Sequence, residues 1–440
     1  MLEFLSLIFI LIAAIELFVG YKIISRSDPF TFLSLISIRL IFDYVLRPFT
    51  FVFIEDYVPG VSGINRGLIH QADAPFYALM TIILNDLVFL FVLLGAYVFI
   101  KNKEISEKNT KEEPKNIYLI IGIVVFVIGL INWFWVIQAY GGLLNVLVSL
   151  GTGRQNLFSI GGSKIPLELA KNFLAGGIFL MTSVFFFKRK VVLAWLLIAL
   201  LFFLLLSFGG RGIAVAAIIS GLIAHNYFYR KINLKFLIIL FIISIPLLTG
   251  LRDVRRLLDG ETEIGDIDFS NINNITSYEQ RFIEISYVSS AFDYDMGFHY
   301  SFFENRKDYF LGEYILGLGM VLPRSFFPDK GSTLANKLAQ KQWCDGKAGC
   351  LMDVGISPSM VTSTAAYWSY LFIPFIGFFI GYFGMYFWYK TVHEIGSPIS
   401  IMSFALGYPY AMTLFQDLGA FLLAFLPIFL VVIFSYVLIK

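Results

Sequence analysis

Charge is scarce in this chain. Arg, Lys, Asp and Glu make up 15% of its 440 residues, where a soluble domain carries about a quarter. With 58% hydrophobic residues and a mean hydropathy of +0.78, there is too little polar surface to cover a water-soluble globule. Cysteine is almost missing, at two residues, and histidine is represented four times. No CxxC pair or histidine cluster supports zinc. The first apolar run, Leu2 to Val19, has no basic residue ahead of it and no small-residue cleavage pattern, so no cleavable signal is expected. The alternation of an outer-membrane barrel is absent. So is an internal repeat, which weighs against an inverted-repeat transporter. The net charge of +2 carries no information about partners, and no nucleic acid is expected.

What the chain does have is long apolar runs. Many reach the length needed to cross about 30 Å of hydrocarbon. A lipid-exposed backbone must satisfy its hydrogen bonds within each span. The expected class is therefore an all-α polytopic membrane protein. Eleven spans are expected, at 2–21, 30–54, 76–100, 117–139, 167–187, 191–208, 212–229, 236–251, 364–389, 399–416 and 419–439. Three regions follow: 1–251 with spans one to eight, a large polar segment at 252–363, and 364–440 with the last three spans. One set of short loops carries Lys22, Arg26, Lys101, Lys103, Lys108, Lys111, Lys115, Lys188, Arg189, Lys190, Arg230, Lys231, Lys235, Lys390 and Lys440. The opposite short loops carry only Arg66, Arg154, Lys164 and Arg211. The positive-inside rule puts the first set in the cytoplasm. The N-terminus and the large segment then lie outside, and the C-terminus inside.

Charges also occur within spans. Arg39, Asp43 and Arg47 are four apart on span two, hence on one helical face, and Asn85 and Asp86 lie in span three. Intramembrane charges face a bundle interior or a watery cavity. One reading is an ion-pair ladder of Arg39, Asp43 and Asp86. The other places Arg47 at the rim of a ligand cavity. Glu168 and Lys171, near the outer end of span five, can snorkel. His225 and His393 fall at cytoplasmic ends.

The polar segment opens with Arg252, Arg255 and Arg256, where lipid phosphates are one partner and a substrate phosphate another. Arg281, Arg306, Arg324 and Lys330 recur among aromatics such as Tyr278, Phe282, Tyr287, Phe298, Tyr300 and Phe303. Guanidinium binds phosphate bidentately, and aromatic rings suit apolar sugar faces or a lipid surface. Residues 274–316 show apolar positions at roughly helical spacing, as expected of amphipathic helices on the membrane surface. Both cysteines, Cys344 and Cys350, lie in this segment, in a glycine-containing loop outside the membrane. A structural disulfide is the expected reading. Asp266/Asp268 and Asp293/Asp295 are Asp-x-Asp pairs that hold a divalent ion in some sugar-transfer enzymes, but the motif is common in polar loops. Glu55-Asp56 ends span two, either as a solvated helix end or as a base.

Leu322-Pro323-Arg324-Ser325-Phe326-Phe327-Pro328-Asp329-Lys330 is followed by Val354-Gly355-Ile356-Ser357-Pro358-Ser359, then by Phe372-Ile373-Pro374 in the next span. Gly209-Gly210-Arg211 stands upstream at the outer end of an apolar run. This order resembles the Wzy-type oligosaccharide repeat-unit polymerases, on the branch that makes enterobacterial common antigen and related O antigens. The resemblance implies a helical membrane glycosyltransferase with a GT-C-like fold in a bacterial inner membrane. Such an enzyme moves a growing glycan from undecaprenyl diphosphate onto the next lipid-linked repeat unit at the outer face. It implies a chain-length-regulating co-polymerase of the Wzz type as partner. Arg211, Arg281, Arg324 and Lys330 fall where the family pattern has basic or motif residues, and Arg252 at the matching span exit.

The expected chemistry is stabilisation of a departing lipid diphosphate by preorganised cations. Arg211 and Arg252 would bracket it, Arg281 and Arg324 complete the cradle, and Lys330 bind sugar hydroxyls or a second phosphate. Arg255, Arg154 and Arg47 are further substrate-binding candidates. The acceptor hydroxyl must lose a proton. Glu284 is carried as catalytic, with Asp293, Asp329 and Asp353 as other bases, and the leaving phosphate as a route needing no base. No cofactor is expected, and metal independence is preferred. Two competing readings are an O-antigen ligase, which uses the same donor with a lipid A–core acceptor, and a lipid-linked glycan flippase or other transporter.

Overall fold

A computed structural model gives the architecture. It describes residues 2–26, 28–41, 74–101, 113–139, 141–143, 165–207, 211–233, 235–237, 295, 298–299, 360–410, 414 and 418–439. Among the described residues there is no strand. In chain order the helices are α1 (Leu2–Arg26), α2 (Phe32–Ile41), α3 (Ala74–Lys101), α4 (Asn116–Ala139), α5 (Ile165–Phe187), α6 (Val191–Leu206), α7 (Arg211–Phe228), α8 (Met360–Trp368), α9 (Ile373–Trp388), α10 (Pro398–Gly407) and α11 (Leu418–Val437). Among the described residues, four helical stretches are long and apolar enough to cross a membrane: Phe76–Lys101, Asn116–Ala139, Pro166–Phe187 and Tyr370–Ile395. Shorter apolar helices run over Leu7–Gly20, Val191–Leu206, Ala217–Phe228 and Phe421–Val437. The chain is thus a membrane-embedded helical protein.

Helix α5 is the hub, with α4, α6, α7, α10 and α11 all packing on it. Its apolar window is 89% buried, against 33% for that of α4. That difference separates a central helix from one facing lipid. A second group joins α1, α2, α3 and α9. In lipid, apolar contact alone drives little association, and small residues let backbones meet. Glycine does so here. A Cβ on Gly129 of α4 would stand 2.6 Å from the Leu174 amide nitrogen, and one on Gly177 of α5 would stand 2.5 Å from that of Phe126. Between α3 and α9, a Cβ on Gly95 or Gly381 would drive into the carbonyl of Phe378 or Val92.

The contacts sort the helix ends. Lys188, after α5, hydrogen-bonds Asn116 at the start of α4. Asp28, before α2, accepts from Asn226 near the end of α7, at 2.9 and 3.0 Å to its two oxygens. Tyr227 donates to the Phe30 carbonyl at 3.1 Å and accepts from Trp388, at the end of α9, at 3.1 Å. All these lie beside turns rich in Lys and Arg. At the opposite end, Trp133 of α4 donates to Ser207 after α6 at 2.9 Å. The alternation agrees with the order of basic and non-basic loops.

Two expected spans are broken. Span nine is α8, a stop at Ser369, a 3-10 turn at Tyr370–Phe372, and then α9 with Pro374 in its first turn. Proline disfavours helical backbone just before it and fits the first turn after it. Span ten, expected over 399–416, is helical as α10 only to Gly407, then passes into a 3-10 turn at Tyr408–Tyr410, where Pro409 withholds a backbone donor. At the basic end, α9 runs on as a π-helix over Tyr389–Ile395 and stops at Gly396, whose φ of 63° is left-handed. Ser397 then caps α10 by accepting from the Ser400 amide at 3.2 Å, with Pro398 as the first helical residue.

Candidate functional site

The candidate site is built where the polar segment meets the non-basic end of the bundle. Asp295, Phe298 and His299 are each helical, and the spacing of three and four residues sets them on one face. All three are buried, and His299 is fully so. Facing them are α8 and the turn that follows it. Thr362 donates to Asp295 Oδ1 at 2.6 Å. His299 Nδ1 and the Tyr370 hydroxyl are joined by a 2.7 Å hydrogen bond. The rings of His299 and Tyr370 lie 5.5 Å apart, and Phe298 meets His299 edge-on at the same separation.

Ser369, the residue before Tyr370, holds φ 93° and ψ 156°. A side chain disfavours that backbone by about 1–3 kcal/mol, and such residues persist where surrounding contacts demand them. Here the demand is the sharp exit from α8 that delivers Tyr370 to His299. Burial pushes the His299 imidazole down to a pKa of about 3. It is therefore neutral at physiological pH, with one nitrogen a donor and the other an acceptor. Nδ1 is engaged by Tyr370, while Nε2 is buried without a hydrogen-bond partner. Next to Thr362, the hydroxyls of Ser363 and Thr364 are buried and unpartnered as well.

Ser37, Asn85, His225 and Ser435 each hold a buried side-chain polar atom without a partner as well, whereas Lys171 and Asp86 are paired. Lys171 does not snorkel. It is 8% exposed, forms an ion pair with Glu168, and donates to the Tyr410 hydroxyl at 2.9 Å. Asp86 meets Glu16 of α1 through a side-chain hydrogen bond, a partner the sequence reading overlooked. A bond between two carboxyls exists only while one carries a proton. Glu16 retains a second oxygen, Oε1, that is buried without a partner.

Of the residues expected to act on substrate, Arg211 is the first residue of α7. That helix ends at the Asn226–Tyr227 knot, so Arg211 opens it at the end of the bundle where Tyr370 precedes α9. Arg47, Arg154, Arg252, Arg255, Arg281, Glu284, Arg324 and Lys330 lie outside the described residues, as do Cys344, Cys350, Asp293, Asp329 and Asp353. The side chains of Arg39 and Asp43 are likewise outside them, so the ladder on span two is described only at Asp86. Among the described residues no group of three His, Cys, Asp or Glu could hold a metal ion. Asp295 instead bonds Thr362.

Sequence reasoning missed His299, Thr362 and Tyr370. The signal was present as an Asp-x-x-x-His spacing within the polar segment, and as Thr362-Ser363-Thr364 at the start of an otherwise apolar run. No family model matches the chain, and neither the curated proteins nor the solved structures hold a match.

Proposed function

We propose that this protein is a membrane glycosyltransferase that joins oligosaccharide repeat units carried on undecaprenyl diphosphate. In this reading the chain has eleven spans and a GT-C-like arrangement in a bacterial inner membrane. The basic turns face the cytoplasm, and the 252–363 segment works at the periplasmic face. The growing glycan leaves its lipid diphosphate and is transferred to the next lipid-linked unit. Arg211, Arg252, Arg281 and Arg324 bind and stabilise the departing diphosphate, with Lys330, Arg255, Arg154 and Arg47 contributing to substrate binding. Glu284 takes the acceptor proton, and no metal is required. A Wzz-type co-polymerase sets chain length.

One observation supports this reading above the others. Buried polar residues of the large segment, Asp295 and His299, dock on Thr362 and Tyr370 at the end of the bundle where Arg211 begins α7. A scaffold or a short-looped transporter gives no reason for that convergence. The test uses full-length protein in nanodiscs and lipid-linked repeat units extracted from cells lacking it. The reading expects a ladder of elongated, lipid-linked polymer that survives chelation. Alanine at Arg211 or Arg281 should abolish long polymer and leave single units. No elongation by wild-type protein would overturn the reading, and transfer only onto lipid A–core would assign a ligase.

A further inference from the structure

We propose that α1 is held on α3 by a proton shared between Glu16 and Asp86, so that this helix contact forms with uptake of a proton and loosens when the proton leaves. The inference stands apart from the transferase reading, because neither acid is placed in the substrate site.

Helix α1 turns one narrow stripe inward. Phe9, Ala13, Glu16 and Gly20 are buried, at the alternating four- and three-residue spacing of a single helical face, while Ile10, Leu11, Ile15, Leu17 and Phe18 are exposed. Phe9 and Ala13 pack with Ala78 and Ile82 of α3, and Gly20 lies against Ile41 of α2. Glu16 is the one ionisable residue of the stripe, and it meets Asp86, one turn beyond Ile82. In lipid, apolar contact alone drives little association, so the acid pair gives this contact much of its specificity.

Two ionised carboxylates in contact inside a membrane repel, and burying either charge is costly. One proton between them turns the repulsion into a charge-assisted hydrogen bond. A proton needs no cavity, only the two carboxyl groups. Burial decides which acid carries it. Glu16 is 6% exposed and its Oε1 is buried without a partner, whereas Asp86 is half-buried. An unpartnered oxygen costs far less on a neutral acid than on a carboxylate. Glu16 is therefore the acid, donating its O–H to Asp86, which holds the charge. Among the described residues neither acid pairs with a lysine or arginine. On α2 the charged residue is Arg39, whose side chain lies outside the described residues. On α1, Lys22 is set over the Phe18 ring. Along α3, Tyr77 stands about 14 Å from Asp86 on one side and Lys101 about 20 Å on the other. Tyr382 and Tyr386 of α9 pack on Phe99, also about 20 Å along α3. Helix α8, which touches α3 as well, carries no charge. The docked pair holds one proton more than two separated carboxylates, so acid favours the contact and alkali opposes it.

The test treats full-length protein in nanodiscs with a lipid-soluble carbodiimide, which attaches to protonated carboxyls within a membrane, and reads the attachment by peptide mass spectrometry. Glu16 should be modified in neutral buffer, and modification should fall several-fold as the buffer is made alkaline. The melting temperature of wild-type protein should fall over the same range. Glu16→Gln offers Asp86 an N–H donor that cannot be titrated, so its melting temperature should fall less. Glu16 left unmodified, or modified equally through alkaline buffer, would overturn the proposal. So would melting temperatures of wild type and Glu16→Gln that shift in parallel. Should Glu16→Gln fail to accumulate, modification of the wild type decides the matter. Neither readout involves elongation, so failure of the transferase reading leaves this inference standing, and its own failure leaves the transferase untouched.

Discussion

Two polar clusters sit at opposite ends of the bundle, and they differ in how completely they are satisfied. At the basic end, Asp28 accepts from Asn226 with both carboxylate oxygens and from the Phe30 amide. Asn226 also accepts from the Ile232 amide at 2.9 Å, and Tyr227 bridges the Phe30 carbonyl and Trp388. Donor and acceptor are matched throughout this knot, and its backbone is ordinary. At the other end, His299 has one ring nitrogen bonded and one orphaned, buried hydroxyls at Ser363 and Thr364 are unpartnered, and Ser369 is strained. Satisfied networks fix a structure, and incomplete ones await something. The difference teaches that the first cluster ties helices together, while the second leaves buried polar groups open among the described residues.

The comparison can be broken first with acid. His299 is held near a pKa of about 3, against an ordinary value of 6.5. Between those values the unfolded chain binds a proton that the folded chain excludes. Its share of stability is therefore complete above about pH 6.5 and declines as pH falls toward 3. Thermal melts of wild-type protein and His299→Gln should diverge across that window, with wild type losing more. Parallel pH profiles would show that His299 is not buried as described.

Asn226→Leu comes next in size. It strips three hydrogen bonds and leaves the Asp28 carboxylate without its main partner, at a cost of about 2–3 kcal/mol. Melting temperature should drop, while elongation per folded molecule stays unchanged. Ser369 sharpens the contrast from the other side. Glycine there should stabilise the fold by about 1 kcal/mol and valine destabilise it by a similar amount, because only glycine is at ease at that φ. Ser369→Gly should nonetheless slow elongation, since Tyr370 loses its fixed approach. The smallest effect is expected for Tyr227→Phe. Side-chain hydrogen bonds inside membrane bundles are each worth roughly 0.6 kcal/mol, so a small shift in melting temperature with full activity should result.

The membrane class was legible in the sequence because scarce charge and long apolar runs leave a chain little alternative. The Asn116–Lys188 and Trp133–Ser207 contacts bring together helix ends that the loop charges also group together. The breaks at Ser369 and Pro409 were not foreseen. A hydropathy reading averages over a span and is blind to one residue with an unusual φ. Lys171 was read as a side chain able to snorkel. Its partners, Glu168 one turn away and Tyr410 far along the chain, include one that only tertiary structure supplies. Glu16 was overlooked because a single acid in an apolar run has no visible partner until α1 and α3 are packed together. His299 escaped notice because attention to the polar segment went to its arginines, and a lone histidine has no motif. The expected arginine cradle rests on residues outside the described structure, apart from Arg211 at the start of α7.

The most direct test compares His299→Gln with Tyr227→Phe, recording melting temperature at neutral pH and elongation rate at low lipid-linked substrate for each. The account predicts that His299→Gln keeps its melting temperature and loses elongation, whereas Tyr227→Phe melts slightly earlier and elongates normally. Equal elongation by both variants, with the stability loss falling on His299→Gln, would contradict it.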